Sequence, residues 1–346
     1  MAKTPPPDPR VPRIASDLVA WFASSTKDYP WRKTRDPYAI LVSEIMLQQT
    51  QIATVLDRGY FTRWLECFPD FASLATAPEE AVLKAWEGLG YYRRARNLQK
   101  LAQQIVAHHH GVMPSDPDVI RSLPGIGPYT AGAISSFAFN LPEPIVDGNV
   151  ARVVSRVWND PTPIDSTEGT RLLWERAANL VRASENPSAF NSALMELGQT
   201  VCRPGNPDCG ACPIQSHCRA ETPEDLPVRK PRPKLTAITE RVVFVRNPTG
   251  VLLEQETGNR RTGLWKLPAL PESNPDSLPP VLLKMTYGIT RYRVTLWVHE
   301  DTPASTPSWP ETHQVIPHAQ LDEVAMPSPY RKALKKLLQH SEFRLE

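Results

Sequence analysis

Long apolar runs are missing from this chain. No stretch approaches the length of a membrane span, and the apolar fraction is that of a soluble globular protein, so a membrane protein is not expected. A dominant charge is missing as well: 39 Lys and Arg stand against 37 Asp and Glu. A net charge of +2 excludes a uniformly basic protein, so any surface for a polyanion must be local and offset elsewhere. Cysteine is scarce, at five in 346 residues, and the N-terminus carries neither a secretory signal nor an Arg-rich transit signature. A reducing compartment is therefore expected, which weighs against a disulfide framework. There is no internal repeat.

Proline is plentiful and divides the chain. Pro5, Pro6, Pro7, Pro9 and Pro12 exclude a helix over residues 1–12, which read as a mobile arm. Residues 13–220 read as one all-α domain. Asp36-Pro37 caps a helix expected to continue to about Leu56. Further helices are expected near 78–86, 93–110, 128–139, 149–157, 167–183 and 187–201. Residues 221–237 alternate prolines with charges and read as a stiff linker. Beyond it, residues 238–346 read as a small α+β domain. Arg241–Val245 and Val251–Leu253 are expected to form a hairpin around Asn247-Pro248-Thr249-Gly250, Tyr292–Val298 another strand, and Ser328-Pro329 the start of a last helix.

Four of the five cysteines are concentrated in one turn-rich loop, as Cys202-x6-Cys209-x2-Cys212-x5-Cys218. Four thiolates brought together can ligate one [4Fe–4S] cluster or one tetrahedral zinc; unligated or paired cysteines are the plainer reading. The spacing does not suit a zinc ribbon. Cys67, between Trp64 and Phe68, reads as a core residue.

Three other places carry candidate chemistry. Leu123-Pro124-Gly125-Ile126-Gly127-Pro128-Tyr129 joins two helices through a glycine hairpin. Its outward N–H groups and the following helix N-terminus can hold a phosphate, although a plain packing turn would look the same. In Ser43–Thr50, placed mid-helix, Ile40, Glu44, Leu47 and Gln51 share a face. A carboxylate on an apolar stripe is costly unless paired, protonated or employed, and burial favours the neutral form a general acid needs. The alternative turns Glu44 to the surface. Asp147 precedes a helix, where it is either an N-cap alone or a stabilised anion paired in function with Glu44. Gly88–Asn97 joins Tyr91 and Tyr92 to a basic stripe, Arg93, Arg96 and Lys100, suited to a phosphate backbone or to a solvated helix face. His108-His109-His110 reads as exposed.

In order, Tyr29-Pro30-Trp31-Arg32, Ser43–Thr50, Gly88–Asn97, the glycine hairpin, Asp147–Val150 and the four cysteines resemble the A/G-specific adenine glycosylases of the endonuclease III superfamily. The resemblance implies a monofunctional base-excision enzyme that flips adenine, mispaired with 8-oxoguanine or guanine, out of double-stranded DNA. It implies that Glu44 protonates the adenine at N7 and that Asp147 stabilises the sugar cation, with Asn149 and Tyr129 in support. Arg32 would hold the base; Gln48, Gln49 and Thr50, with Tyr91 or Tyr92, would meet the opened duplex, and Gly125 and Gly127 a phosphate. Cys202, Cys209, Cys212 and Cys218 would hold a [4Fe–4S] cluster that folds the loop and presents Arg203 and Arg219. Lyase relatives carry a lysine where this chain has Tyr129, which forms no Schiff base. A monomer in a bacterial cytoplasm, associated with the nucleoid, is the expected setting.

Thr262–Pro268 is similar to the Gly-Leu-Trp-x-x-Pro stretch of the Nudix-like domain attached to these enzymes, but the acidic Nudix box is missing. In the family a Phe-Ser/Thr-His loop reads 8-oxoguanine. The matching residues here are Ile289-Thr290-Arg291, so Thr290 and Arg291 are the expected lesion contacts and the aromatic wedge and histidine are lost. Two other readings stand beside this one. A thymine or uracil mismatch glycosylase of the same superfamily generally lacks the second domain and the glutamate. A non-catalytic damage binder would predict loss of Glu44 or Asp147.

Overall fold

The computed structural model describes residues 8–25, 27–231, 234–258, 261–270, 278–300 and 310–341. The expectation of a mobile arm over residues 1–7 lies outside them. The chain divides into two compact units, one of residues 1–75 with 100–231 and one of 76–99 with 232–346.

The first unit is helical throughout: α1 Val11–Ser25, α2 Pro37–Leu47, α3 Ile52–Asp57, α4 Tyr60–Cys67, α5 Phe71–Thr76, most of α7 Arg93–His109, α8 Pro117–Ser122, α9 Pro128–Phe139, α10 Gly148–Trp158, α11 Thr167–Arg182 and α12 Pro187–Thr200. Its core gathers apolar stripes of α1, α10, α11 and α12, among them Leu18, Val153, Leu180 and Phe190, all at most 1% exposed. Each such side chain contributes roughly 1.5–3 kcal/mol by leaving water. Asp36 accepts from the Tyr38 and Ala39 amides and Pro37 takes the first turn of α2, as the sequence predicts.

Four expectations need correction here. The helix opened by Asp36 stops at Leu47 instead of running to Leu56, because Gln49 adopts φ +58°, which no helix accommodates. The proline-rich arm is shorter than residues 1–12: α1 begins at Val11, and Arg10 is anchored by donating to the Val157 and His217 carbonyls. Cys67 is exposed, since Trp64 and Phe68 take the buried positions around it. The supposed linker is fastened to this unit as far as Lys230, through Val228 to the Ile164 amide and Lys230 to Asp165.

The second unit holds α6 Glu79–Ala85, two three-stranded sheets and α13 Ser328–Ser341. One sheet runs β1 (Thr236–Phe244), β5 (Tyr292–Glu300), β4 (Val281–Ile289), with β1 parallel to β5 and β4 antiparallel to it. The other runs β3 (Trp265–Lys266), β2 (Gly250–Gln255), β6 (His313–Pro317), all antiparallel. The Asn247–Gly250 turn forms, with Asn247 Oδ1 accepting from Thr249 and Gly250, and closes a short hairpin in which Arg246 bridges Val251 and the Leu252 amide donates to the Val245 carbonyl; β1 and β2 pair no further. They diverge into different sheets. Residues 76–99, expected in the all-α domain, pack in this unit: Glu87 accepts from Arg331 Nε at 2.7 Å and Tyr92 donates to the Met326 carbonyl at 3.0 Å.

Candidate active site

Helix α2 is buried along nearly its whole length, so its one carboxylate is carried inside with its neighbours. Glu44 is 6% exposed. It lines a cleft of about 1120 Å³ in the first unit together with Ile40 and Leu47 of the same helix; Gln51, expected on that helical face, also lines the cleft but from the N-cap of α3. Burial is the main cause that pushes the Glu44 carboxyl up to about 7; the charge of Asp147 adds to this and a hydrogen bond from Tyr129 opposes it. A carboxyl with this value is substantially protonated at neutral pH.

Tyr129 reaches the cleft because it stands in the first turn of α9, just after the glycine hairpin. Gly125 supplies a φ of +76° that turns the chain between α8 and α9, whereas Gly127 is in an extended conformation. Burial, followed by the charges of Glu44 and Asp147, raises the Tyr129 phenol well above its ordinary value, so it stays a neutral donor. Its hydroxyl also lies 3.8 Å from Met195 Sδ.

Asp147 caps α10. Its Oδ1 accepts from the Val150 amide at 2.7 Å and its Oδ2 from Asn149 Nδ2 at 2.9 Å, so both oxygens are oriented by donors. Asn149 in turn accepts from Arg152 Nη2 at 2.9 Å, and Arg152 also donates to the carbonyls of Gly198 and Cys202. Gly198 permits this packing: a Cβ there would sit 2.6 Å from Asn149 Cβ.

Arg32 lines the same cleft, stacked 4.8 Å from the centroid of Tyr29 and 5.2 Å from that of Phe22, and its Nη1 pairs with Glu196 Oε2 at 2.5 Å. Gln48, Gln49 and Thr50 follow α2 in the non-helical turn at the cleft, with Gln48 Nε2 donating to Thr130 Oγ1 at 3.4 Å. Glu44, Tyr129, Asp147, Asn149, Arg32 and Gln48–Thr50 are thus brought together.

Other predicted residues are elsewhere. Tyr91 and Tyr92 belong to the second unit. Tyr92 is buried with its hydroxyl engaged by Met326, which removes it as a duplex contact, while Tyr91 is 50% exposed at φ +48°. Arg96 is tied down by Glu79, leaving Arg93 and Lys100 exposed in the basic stripe. Thr290 and Arg291 form the two-residue tip between β4 and β5, both exposed, with Thr290 at φ +50°. A β-branched residue rarely adopts that conformation.

The four cysteines are free thiols on the loop after α12. Burial, with the charges of Cys202, Cys218 and Cys209, pushes the Cys212 thiol up to about 11. Among the described residues, no three or more His, Cys, Asp or Glu side chains stand as a formed metal-binding group. The surroundings nevertheless fit an anionic centre. Arg156, 2% exposed, has Nη1 3.3 Å from Cys202 Sγ, and its Nη2 is buried with no hydrogen-bond partner. Four thiolates around a doubly charged core would carry about −2, complementary to this guanidinium. Arg203 and Arg219 are exposed on the loop.

Glu196, Arg152 and Arg156 were missed by sequence reasoning. Their signal was present: each is a charge inside an apolar helical run, the pattern that marked Glu44.

Residues 42–179 match the HhH-GPD superfamily of base excision DNA repair proteins. The chain is 41% identical over 204 residues to the adenine DNA glycosylase of Mycolicibacterium smegmatis, covering 59% of this chain and 68% of that one. The chain belongs to the adenine DNA glycosylase family. It is also similar to the adenine DNA glycosylases of Mus musculus (46% over 222 residues, 61% of this chain and 42% of that one) and Arabidopsis thaliana (34% over 302 residues, 75% and 47%). The chain thus spans under half the length of these two relatives. Among solved structures it resembles a thermostable thymine-DNA glycosylase (TM-score 0.55, 27% identity, 62% of this chain and 97% of that one). A non-covalent endonuclease III–DNA complex, at 24% identity and TM-score 0.50 over 61% of this chain and 94% of that one, shares the fold. Among the described residues no helix is long and apolar enough to cross a membrane.

Proposed function

We propose that this protein is a monofunctional DNA glycosylase that removes adenine mispaired with 8-oxoguanine or guanine in double-stranded DNA. The observation that carries the reading is the pair of carboxyls in one cleft with different environments: Glu44 buried, with its carboxyl pushed up to about 7, and Asp147 with each oxygen oriented by a donor.

The chemistry follows from that asymmetry. Glu44 gives its proton to N7 of the flipped adenine, the C1′–N9 bond breaks, and its electron pair leaves with the base. The sugar is left as an oxocarbenium ion, which the Asp147 carboxylate stabilises, directly or through a transient bond. Water adds at C1′ and loses a proton, leaving an abasic site and free adenine. Asn149 keeps the aspartate aimed, and Tyr129 keeps a proton donor beside Glu44. Because Tyr129 occupies the lyase lysine's place, the strand is left uncut. Gln49, the glycine hairpin and the exposed Tyr91 act on the duplex, and Thr290 and Arg291 at the β4–β5 tip contact the opposite base. The second unit acts as a Nudix-like recognition domain without nucleotide hydrolysis.

Cys202, Cys209, Cys212 and Cys218 hold a [4Fe–4S] cluster whose role is to cross-link the loop. Iron near four atoms per chain supports this; one zinc per chain refutes it.

The test of the reaction is product analysis on a duplex with adenine opposite 8-oxoguanine. Free adenine and an alkali-labile strand, with no borohydride-trapped complex, are expected. A second reading, removal of thymine or uracil from a G mispair, is favoured by the likeness to the thymine-DNA glycosylase structure. It predicts release of thymine from G:T duplexes and none of adenine.

A further inference from the structure

The sheet β1-β5-β4 has one face in the core; on the other, Val243 and His299 are buried and the rows beyond them are largely exposed. Val242, Phe244, Leu296, Val298, Met285 and Tyr287 point inward to the apolar cluster beneath α13. Alternation along a strand then sends their neighbours to the opposite face. Strand register sets these in rows: Arg241, Trp297 and Lys284 in one, Thr239, Thr295 and Thr286 in the next, Ala237, Arg293 and Gly288 in the third.

These three rows contain no Asp or Glu. Arg241, Lys284 and Arg293 are all exposed, and among the described residues none of them pairs with a carboxylate. Four other cations of the same unit, Arg96, Arg261, Lys266 and Arg331, each face a carboxylate, whereas Lys332, Lys335 and Lys336 on α13 are exposed like the sheet cations. In a chain whose net charge is only +2, three cations on one sheet face are a local concentration of charge. Lys284 Nζ lies 4.3 Å from the Trp297 ring centroid, which holds the ammonium against the sheet.

We infer that this outer sheet face is a docking surface for the sugar–phosphate backbone of duplex DNA. The charge is complementary to phosphate, and the threonine row adds the neutral donors that phosphate oxygens accept from. Strand spacing places Arg241 and Lys284 about 10 Å apart across the sheet, with Arg293 about 13 Å along it, so more than one phosphate can be met at once. Contacts to phosphate read charge and not sequence. The inference rests on the glycosylase reading only in taking DNA as the polyanion.

The test is fluorescence anisotropy on a fully paired duplex across a salt series, comparing the full chain with R241Q/K284Q/R293Q. The variant should bind at least tenfold more weakly at low salt, and its log–log salt slope should shrink by about 2–3, near 0.9 per lost phosphate contact. R241K/R293K, which keeps the charge, should retain the parent slope. An unchanged slope and affinity in the neutralised variant, with its melting temperature preserved, would overturn the inference. Base release at saturating protein separates the two readings. If adenine is released normally and the slope does not move, the sheet face fails alone. If no adenine is released but the slope still falls, the face stands and the glycosylase reading fails.

Discussion

Asn149 orients Asp147: its Nδ2 lies 2.9 Å from Asp147 Oδ2, and its own position is set by Gly198 across the α10–α12 contact. Any side chain at 198 must push Asn149 away, since the added Cβ would sit 2.6 Å from Asn149 Cβ. Gly198→Ala should therefore cost about 1–3 kcal/mol in stability. It should also slow single-turnover base release, by on the order of 100-fold if the aspartate moves by about an ångström. Thermal unfolding and single-turnover kinetics on the same preparation measure both. Unaltered kinetics would show that Asn149 does not position Asp147.

Glu44 lowers stability at neutral pH, because burial disfavours its charged form. Its folded value, about 7, exceeds the ordinary 4.5, so the folded state holds this proton more tightly than the unfolded state. Below about pH 4.5 the group is neutral in both states and costs nothing. As pH rises through 7 the cost reaches about 3 kcal/mol. Glu44→Gln should accordingly raise the melting temperature more at pH 8 than at pH 5, while base release falls by 100-fold or more. A melting difference that does not depend on pH would contradict the buried, raised carboxyl.

Tyr129 lowers the Glu44 value through its hydrogen bond. Tyr129→Phe removes that donor, so the Glu44 carboxyl should rise further. The alkaline fall of the single-turnover rate, expected near pH 7 in the parent, should then move to higher pH. A shift toward lower pH would reverse the sign assigned to this bond.

Arg32 is the partner of a carboxylate that is almost wholly buried, Glu196 at 1% exposure. Arg32→Ala leaves that carboxylate alone and should destabilise the fold by about 3–5 kcal/mol; removing both charges with Glu196→Gln should recover part of this. Denaturant unfolding of the single and double variants decides it. Equal stabilities would make the pair a solvent-screened contact.

Much of this site was legible in the sequence for a local reason. A cap, a proline in the first turn and a periodic apolar stripe fix α2 and bring Glu44 inward, and Asp147 caps α10 through its own backbone neighbours. What failed was longer in range. Gln49 leaves the helix in a conformation no propensity favours. The hairpin around Asn247–Gly250 ends at the Arg246–Val251 bridge and its Val245–Leu252 bond, and β1 itself pairs with β5, more than fifty residues away. Residues 76–99 join the second unit through Glu87 and Tyr92, whose partners lie over two hundred residues on. Arg156, buried beside Cys202, is likewise invisible until the fold brings α10 to the cysteine loop.

The central claim is that the Glu44–Asp147 cleft releases adenine from a mispair. Single-turnover cleavage of duplexes carrying adenine opposite 8-oxoguanine, guanine, thymine or cytosine, run beside Glu44→Gln, tests it most directly. Abasic sites opposite 8-oxoguanine and guanine alone, abolished by the substitution, are the predicted result. Adenine release that survives Glu44→Gln, or no release from any of the four duplexes, would contradict it.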